Sequence, residues 1–148
     1  MPRSTNHAAS GLVLIVDASC LYEVVADTAR ANDVRARLAL DPDHAAPSVI
    51  DAEVVSVIRR DHLLGRLDST AAAQAVDDLR DWPGERFGHR PLLNRVWELR
   101  TSVRSLDALY VALAEVMQAT LLTSDERLAR AYGPHCPVEV IPHALRSN

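Results

Sequence analysis

The chain has 148 residues, 48% of them hydrophobic and only 4% aromatic, and a formal charge of −4. That length and apolar content suit one domain whose core is built from Leu, Val, Ile and Ala. The acidic balance excludes a uniformly basic nucleic-acid binder, although positive charge can still be gathered in one patch. All 16 residues counted as Lys or Arg are Arg, so every mechanism that needs a lysine is excluded. Cys20 and Cys136 are two and far apart, the usage of reduced thiols in a cytosolic protein rather than of a disulfide framework. The apolar run Leu12–Val16 stops at Asp17, too short for a signal peptide or a membrane span. A soluble, cytoplasmic protein with no membrane partner is expected.

Residues 1–11 are small and polar without a pattern and read as a disordered lead; residues 12–142 read as one domain and 143–148 as a tail. Leu12–Val16 is apolar on both faces, as in a central strand of a parallel sheet. Asp17-Ala18-Ser19 ends it, with Ser19 as the cap of a helix through Leu21, Val24 and Val25. A second helix is expected over about Thr28–Leu40, broken by Asp41-Pro42-Asp43. His44–Ala46 is then a short strand, required mainly by the alternation. Ser48 is the expected cap of a helix whose apolar body is Val49, Ile50, Ala52, Val54, Val57 and Ile58, and Glu53 falls on that stripe.

Ser69–Trp82 reads as an Ala-rich helix, with Asp77, Asp78 and Asp81 outward and Pro83-Gly84 as its stop. Glu85–His89 is a short extended piece, and Pro91–Arg100 a helix carrying Leu92, Leu93, Val96, Trp97 and Leu99. The stretch Ser105–Leu128 contains a strongly apolar helix opening at Asp107, the buried strand Thr120–Thr123, and a helix capped by Ser124-Asp125. Val138–Ile141 closes as a strand. Strands alternating with helices give an α/β domain around a parallel sheet.

That alternation carries the functional argument. If the strands are parallel, the helix that begins near Asp107 starts at the edge where the strand before Asp125 ends. Asp17 also follows a strand, and Glu53 lies early in a helix arriving at the same edge. Taken singly, Asp17 and Asp125 read equally as turn or cap residues, Asp107 as a helix-dipole residue, and Glu53 as half of a buried salt bridge. Together, four carboxylates at one edge form a set of hard oxygen ligands suited to Mg²⁺ or Mn²⁺ and to phosphodiester hydrolysis. Ser19 and Thr123 stand two residues from an aspartate and can orient it from behind. Arg86, Arg90, Arg95, Arg100 and Arg104 face only Glu98 in their segment, either as a phosphate-binding patch or as an ordinary solvated face. The six histidines are scattered without ligand spacing and read as surface residues. Ser19 has no evident His partner, against a hydrolase triad, and without Lys a Walker-type loop is impossible.

Four pieces of the chain, Val16–Ser19 (VDAS), Pro47–Val54 (PSVIDAEV), Ser105–Glu115 (SLDALYVALAE) and Leu121–Ala131 (LLTSDERLARA), together resemble the PIN-domain ribonucleases, specifically VapC-type toxins of type II toxin–antitoxin systems. The likeness covers Leu14 to Ile141. The family's acidic positions fall on Asp17, Glu53, Asp107 and Asp125, and its Ser/Thr supports on Ser19 and Thr123. The resemblance implies a three-layer α/β/α sandwich with a parallel sheet of four or five strands. It also implies Mg²⁺- or Mn²⁺-dependent endonucleolytic cleavage of RNA, often tRNA or ribosomal RNA, a homodimer, and a VapB-like antitoxin that occludes the cleft. The alternative within that fold is a degenerate domain serving as a scaffold or RNA-binding module. Haloacid-dehalogenase-like phosphatases and receiver domains fit less well, because both want a lysine and the former a second Asp where Ser19 stands.

Overall fold

A computed structural model describes residues 13–141; the expectations for the lead 1–11 and the tail 143–148 lie outside the described residues. The elements are β1 (Val13–Val16), α1 (Ala18–Val25), α2 (Ala31–Leu38), β2 (Asp43–Pro47), α3 (Val49–Leu63), α4 (Ser69–Asp81) and β3 (Glu85–Phe87). A 3-10 turn at Arg90–Leu92 then leads into α5 (Leu93–Glu98), α6 (Ser105–Met117), β4 (Thr120–Thr123), α7 (Glu126–Ala129) and β5 (Val138–Val140).

All pairings are parallel, and the five strands lie in the order β3-β2-β1-β4-β5. The chain therefore winds outward from β1 in one direction, returns, and winds outward from β4 in the other. Right-handed crossovers then place α1–α4 on one face of the sheet and α5–α7 on the other. The packing agrees: α1 lies against α3 and α4, and α5 against α6. The result is the expected α/β/α sandwich.

The sheet holds because its middle is apolar on both faces. Ile15, Val16, Leu121 and Leu122 are fully buried, as are Val111, Ala112 and Ala114 of α6, which covers β1, β2 and β4. Burial of each large aliphatic side chain is worth about 1.5–3 kcal/mol. Helix α6 stops at Gln118, whose left-handed φ of 51° ends the helix. The Ala119 N–H then returns to the Ala114 carbonyl at 2.9 Å.

Several local expectations shift. The second helix shortens to Ala31–Leu38, and the strand expected at His44–Ala46 lengthens to Asp43–Pro47 by pairing with both β1 and β3. Asp68, not anticipated as a cap, accepts the Ala71 N–H at 2.7 Å and starts α4. The helix expected over Pro91–Arg100 is a 3-10 turn plus six residues, and only Leu92 and Leu99 of its apolar set are buried. Trp97 and Leu93 lie exposed, because so short a helix presents only one stripe to α6.

Ser48 precedes α3 but gives it no side-chain cap; its hydroxyl donates to the Phe87 carbonyl at 3.0 Å instead. The orphan N–H of Val49 is taken by His89 Nε2 at 3.1 Å. His44 and His62 are likewise half-buried and bonded to main-chain carbonyls, of Leu38 and Leu67. These three histidines hold the fold together and are not surface residues. Both cysteines are free, and burial pushes the Cys20 thiol up to about 12.

Candidate active site

In an open parallel sheet, loops diverge where two neighbouring strands send the chain in opposite directions, leaving a crevice outside their carboxyl ends. Here that point lies between β1 and β4. Asp17 is the residue after β1, and Thr123, Ser124 and Asp125 form the end of β4 and the turn beyond it. Asp17 still belongs to the ladder through its main chain, since its N–H donates to the Leu122 carbonyl at 2.9 Å.

Two hydroxyls lock the strand ends together. Thr123 Oγ1 donates to Asp17 Oδ2 at 2.7 Å and accepts the Asp125 N–H at 3.1 Å. Ser19 Oγ donates to the same Oδ2 at 3.0 Å and accepts the Ser124 N–H at 3.1 Å. Ser19 therefore lies inside α1 and not at its cap. Asp17 takes the capping position without a capping hydrogen bond, so its carboxylate stays turned to the crevice. Asp125 accepts the Arg127 N–H through Oδ1 at 2.9 Å, starting α7 as expected.

Helices α3 and α6 bring the other two carboxylates. A cleft of about 590 Å³ is lined by Asp17, Glu53, Asp107 and Asp125, with Ser19, Tyr22, Arg60 and Arg104 among its further walls. Glu53 does not sit on the buried stripe of α3, which runs Ile50, Val54, Ile58 and Asp61. It rides the boundary, half-buried, and its partner is the Tyr110 hydroxyl at 2.8 Å rather than an arginine.

The electrostatics reflect this proximity. Burial raises the Asp17 carboxyl above its ordinary range; the Thr123 and Ser19 hydroxyls pull it down, and Asp125 pushes it up again. Burial also raises Glu53, which the Tyr110 bond opposes and the charges of Asp17 and Asp107 reinforce. Asp107 is raised by burial and by Asp17 and Asp125, against the pull of Arg104 and Arg127. Like charges in one crevice disfavour full ionisation. Among the described residues no three carboxylate, imidazole or thiol groups close around a point where a cation would sit; the four acids line the walls of the crevice.

The five arginines divide. Arg104 lines the cleft and the smaller pocket of about 120 Å³ beside it, between Asp107, Asp125 and Arg127. Arg86 is instead consumed by the fold: it donates to the carbonyls of Leu79, Trp82 and Gly84, pairs with Asp51 at 3.0 Å and stacks over Trp82. Arg95 is held by Glu115 at 2.6 Å, near the far end of α6. Arg100 stacks on the exposed Trp97, and Arg90 is exposed outside the cleft. Arg60 and Arg127, which do face the cleft region, were not singled out in the sequence, because each sits in a mixed-charge run.

A parallel sheet with an acidic crevice at its switch point defines the PIN type of α/β domain. The PIN domain family matches residues 14–134, and the chain belongs to that family. Its relatives are VapC ribonucleases. It is 44% identical over 120 residues to Ribonuclease VapC3 of Mycobacterium tuberculosis, covering 80% of this chain and 87% of that one. It is 35% identical over 128 residues to Ribonuclease VapC1 of the same species, covering 86% and 96%. Among solved structures, VapBC2 from Rickettsia felis bound to a promoter DNA fragment matches with a TM-score of 0.64 at 16% identity, over 86% of this chain and 98% of that one. VapC20 of M. tuberculosis, a sarcin-ricin loop cleaving toxin, matches with a TM-score of 0.57 at 19% identity, over 73% and 86%. At those identities the two structures share the fold.

Proposed function

We propose that this VapC-type nuclease is a divalent-cation-dependent endoribonuclease, with Mg²⁺ or Mn²⁺ as its cation, and the toxin of a toxin–antitoxin pair. One observation carries the reading: Asp17, Glu53, Asp107 and Asp125 come from four separate segments and line a single cleft. The donor set fits a hard cation, being all oxygen with no thiolate or imidazole among the four. Burial raises Asp17, Glu53 and Asp107 and repulsion among the acids adds to it, and a bound cation would offset both. When bound, such a cation stabilises charge on the phosphodiester and activates water for attack.

The chain's own residues prepare the site. Thr123 and Ser19 fix Asp17 from behind, so its carboxylate does not turn away to cap α1. Asp107 projects from the first turn of α6. Arg104 at the cleft, with Arg127 beside it, offers guanidinium groups to RNA phosphates. The sarcin-ricin loop cleavage stated for VapC20 and the family resemblance support structured RNA, ribosomal or transfer, as the substrate class. The toxin–antitoxin proteins among the structural neighbours support a VapB-like antitoxin partner, and the family resemblance supports its covering the cleft and a homodimer. Among the described residues no helix is long and apolar enough to cross a membrane, and an RNA substrate supports activity in the cytoplasm.

The test compares purified wild type with Asp107→Asn on RNA, with Mg²⁺, with Mn²⁺ and with chelator. Cleavage by wild type that needs the cation, and its loss in a folded Asp107→Asn, is the expected result. In chelator at neutral pH the variant should melt higher than wild type, since one of the repelling charges is gone. Undiminished cleavage by the variant overturns the assignment.

A further inference from the structure

Tyr110 lies on α6 three residues after Asp107, hence on the same face and one turn deeper. It is the largest fully buried side chain among the described residues. Its neighbours on the helix are Leu, Val and Ala, and packing alone would be served as well by Phe. A buried phenolic hydroxyl needs a partner, and this one donates to Glu53 Oε1 at 2.8 Å. That is the only side-chain hydrogen bond Glu53 makes among the described residues. One buried oxygen thus joins α3, which carries Glu53, to α6, which carries Asp107.

We propose that Tyr110 is a positioning residue of the cleft: its hydroxyl ties down one oxygen of Glu53 and leaves the other, Oε2, free to hold a cation. The inference rests on the reading of the four carboxylates as a cation site. Glu53 has three rotatable side-chain bonds and stands at the boundary between core and solvent. Without a tether it swings toward water, gaining rotamer entropy and leaving its like-charged neighbours. The phenol holds it in the crevice before the cation arrives. Hydroxyls from Thr123 and Ser19 do the same for Asp17, so two of the acids are each held from behind by neutral donors.

The experiment is Tyr110→Phe, which keeps the ring in the core and removes only the hydroxyl. Binding of Mn²⁺ and Mg²⁺ is measured by calorimetry without RNA, along with the rise in melting temperature that each cation produces. Cleavage is then measured at saturating cation. The expected result is cation affinity about tenfold weaker or more, a smaller cation-induced rise, and a reduced kcat with KM for RNA little changed. Adding Tyr110→Phe to Glu53→Gln should cost nothing further in cation affinity.

A merely structural hydroxyl would lower the melting temperature in chelator and leave the cation affinity alone, and that outcome overturns the proposal. In wild type, the ring resonances of Tyr110 should shift with the midpoint of the cation titration; resonances that stay fixed while cation binds also overturn it. Should wild type itself neither bind cation nor need it for cleavage, the reading of the cleft fails. Cation binding by wild type with equal affinity in Tyr110→Phe overturns the role of Tyr110 alone.

Discussion

Thr123 Oγ1 and Asp17 Oδ2 meet at 2.7 Å although 106 residues separate them in the chain. The contact exists because β1 and β4 are neighbours at the switch point, so the last side chain of one strand lies beside the first residue after the other. Thr123 is fully buried and Asp17 nearly so, and a buried carboxylate stripped of a donor carries its full desolvation cost. Thr123→Val keeps the shape and deletes the donor. It should destabilise the protein by about 1–3 kcal/mol and lower the cleavage rate, read by chemical denaturation and by initial rates on one RNA. A rate equal to wild type would mean that Ser19 alone holds Asp17.

Arg86 makes the opposite case, a cation whose work is structural. Its guanidinium gathers the carbonyls of Leu79 and Trp82, both at 2.7 Å, where α4 ends and β3 begins, and its face lies over Trp82. Trp82 in turn covers Gly84, where an added Cβ would come within 2.2 Å of the ring. A lysine offers the charge but neither the planar fork nor the stacking surface. Arg86→Lys should lower stability by about 2 kcal/mol while cleavage per folded molecule stays as in wild type. Thermal melting beside a rate normalised to folded protein checks both halves.

The contrast shows where sequence reading reached and where it stopped. The strands Val13–Val16 and Thr120–Thr123 and the helix Ser105–Met117 follow from local apolar patterning. Parallel alternation then assigns Asp17, Asp107, Asp125 and Glu53 to one edge without any knowledge of strand order. What local pattern does not carry is partnership across the chain. Arg86 and Arg104 look alike in a basic run, and only the fold reveals that one is spent on main-chain carbonyls and the other faces the cleft. Tyr110 carries no signal of its own in the sequence, and only the fold brings Glu53 to its hydroxyl from 57 residues away. His89 reads as a surface residue until its ring accepts the first N–H of α3.

Glu115, at the other end of α6, ties that helix to α5 and to the loop before β5. Burial pushes its carboxyl up, but Arg95 and the His135 N–H outweigh this and hold it below its ordinary value of 4.5. A depressed folded-state value contributes stability that is present above the unfolded value and lost as pH falls through the folded one. Wild type should therefore lose stability as pH drops below about 4.5, and Glu115→Gln should show less of that loss. At neutral pH the variant starts about 1–3 kcal/mol lower, because Arg95 keeps a weaker partner. Denaturation midpoints of both proteins between pH 7 and 3 test the sign: a difference between them that does not shrink on acidification refutes it.

Arg104 immediately precedes α6, exposed, with its charge near enough to Asp107 to oppose the rise of that carboxyl. Its side chain makes no hydrogen bond among the described residues, whereas those of Arg86 and Arg95 make several, so its guanidinium is available to a ligand. A phosphate entering beside the carboxylates meets it at the mouth of the cleft, where each neutralised phosphate releases counterions and makes binding salt-dependent. Arg104→Gln should raise KM for RNA several-fold, leave kcat nearly unchanged and flatten the dependence of KM on salt. Arg100→Gln, altering a guanidinium stacked on Trp97 away from the cleft, should leave all three as they are. Rates across a salt series for both variants measure the difference. Equal effects of the two would mean that a diffuse basic face, and not a placed arginine, draws the RNA to the cleft.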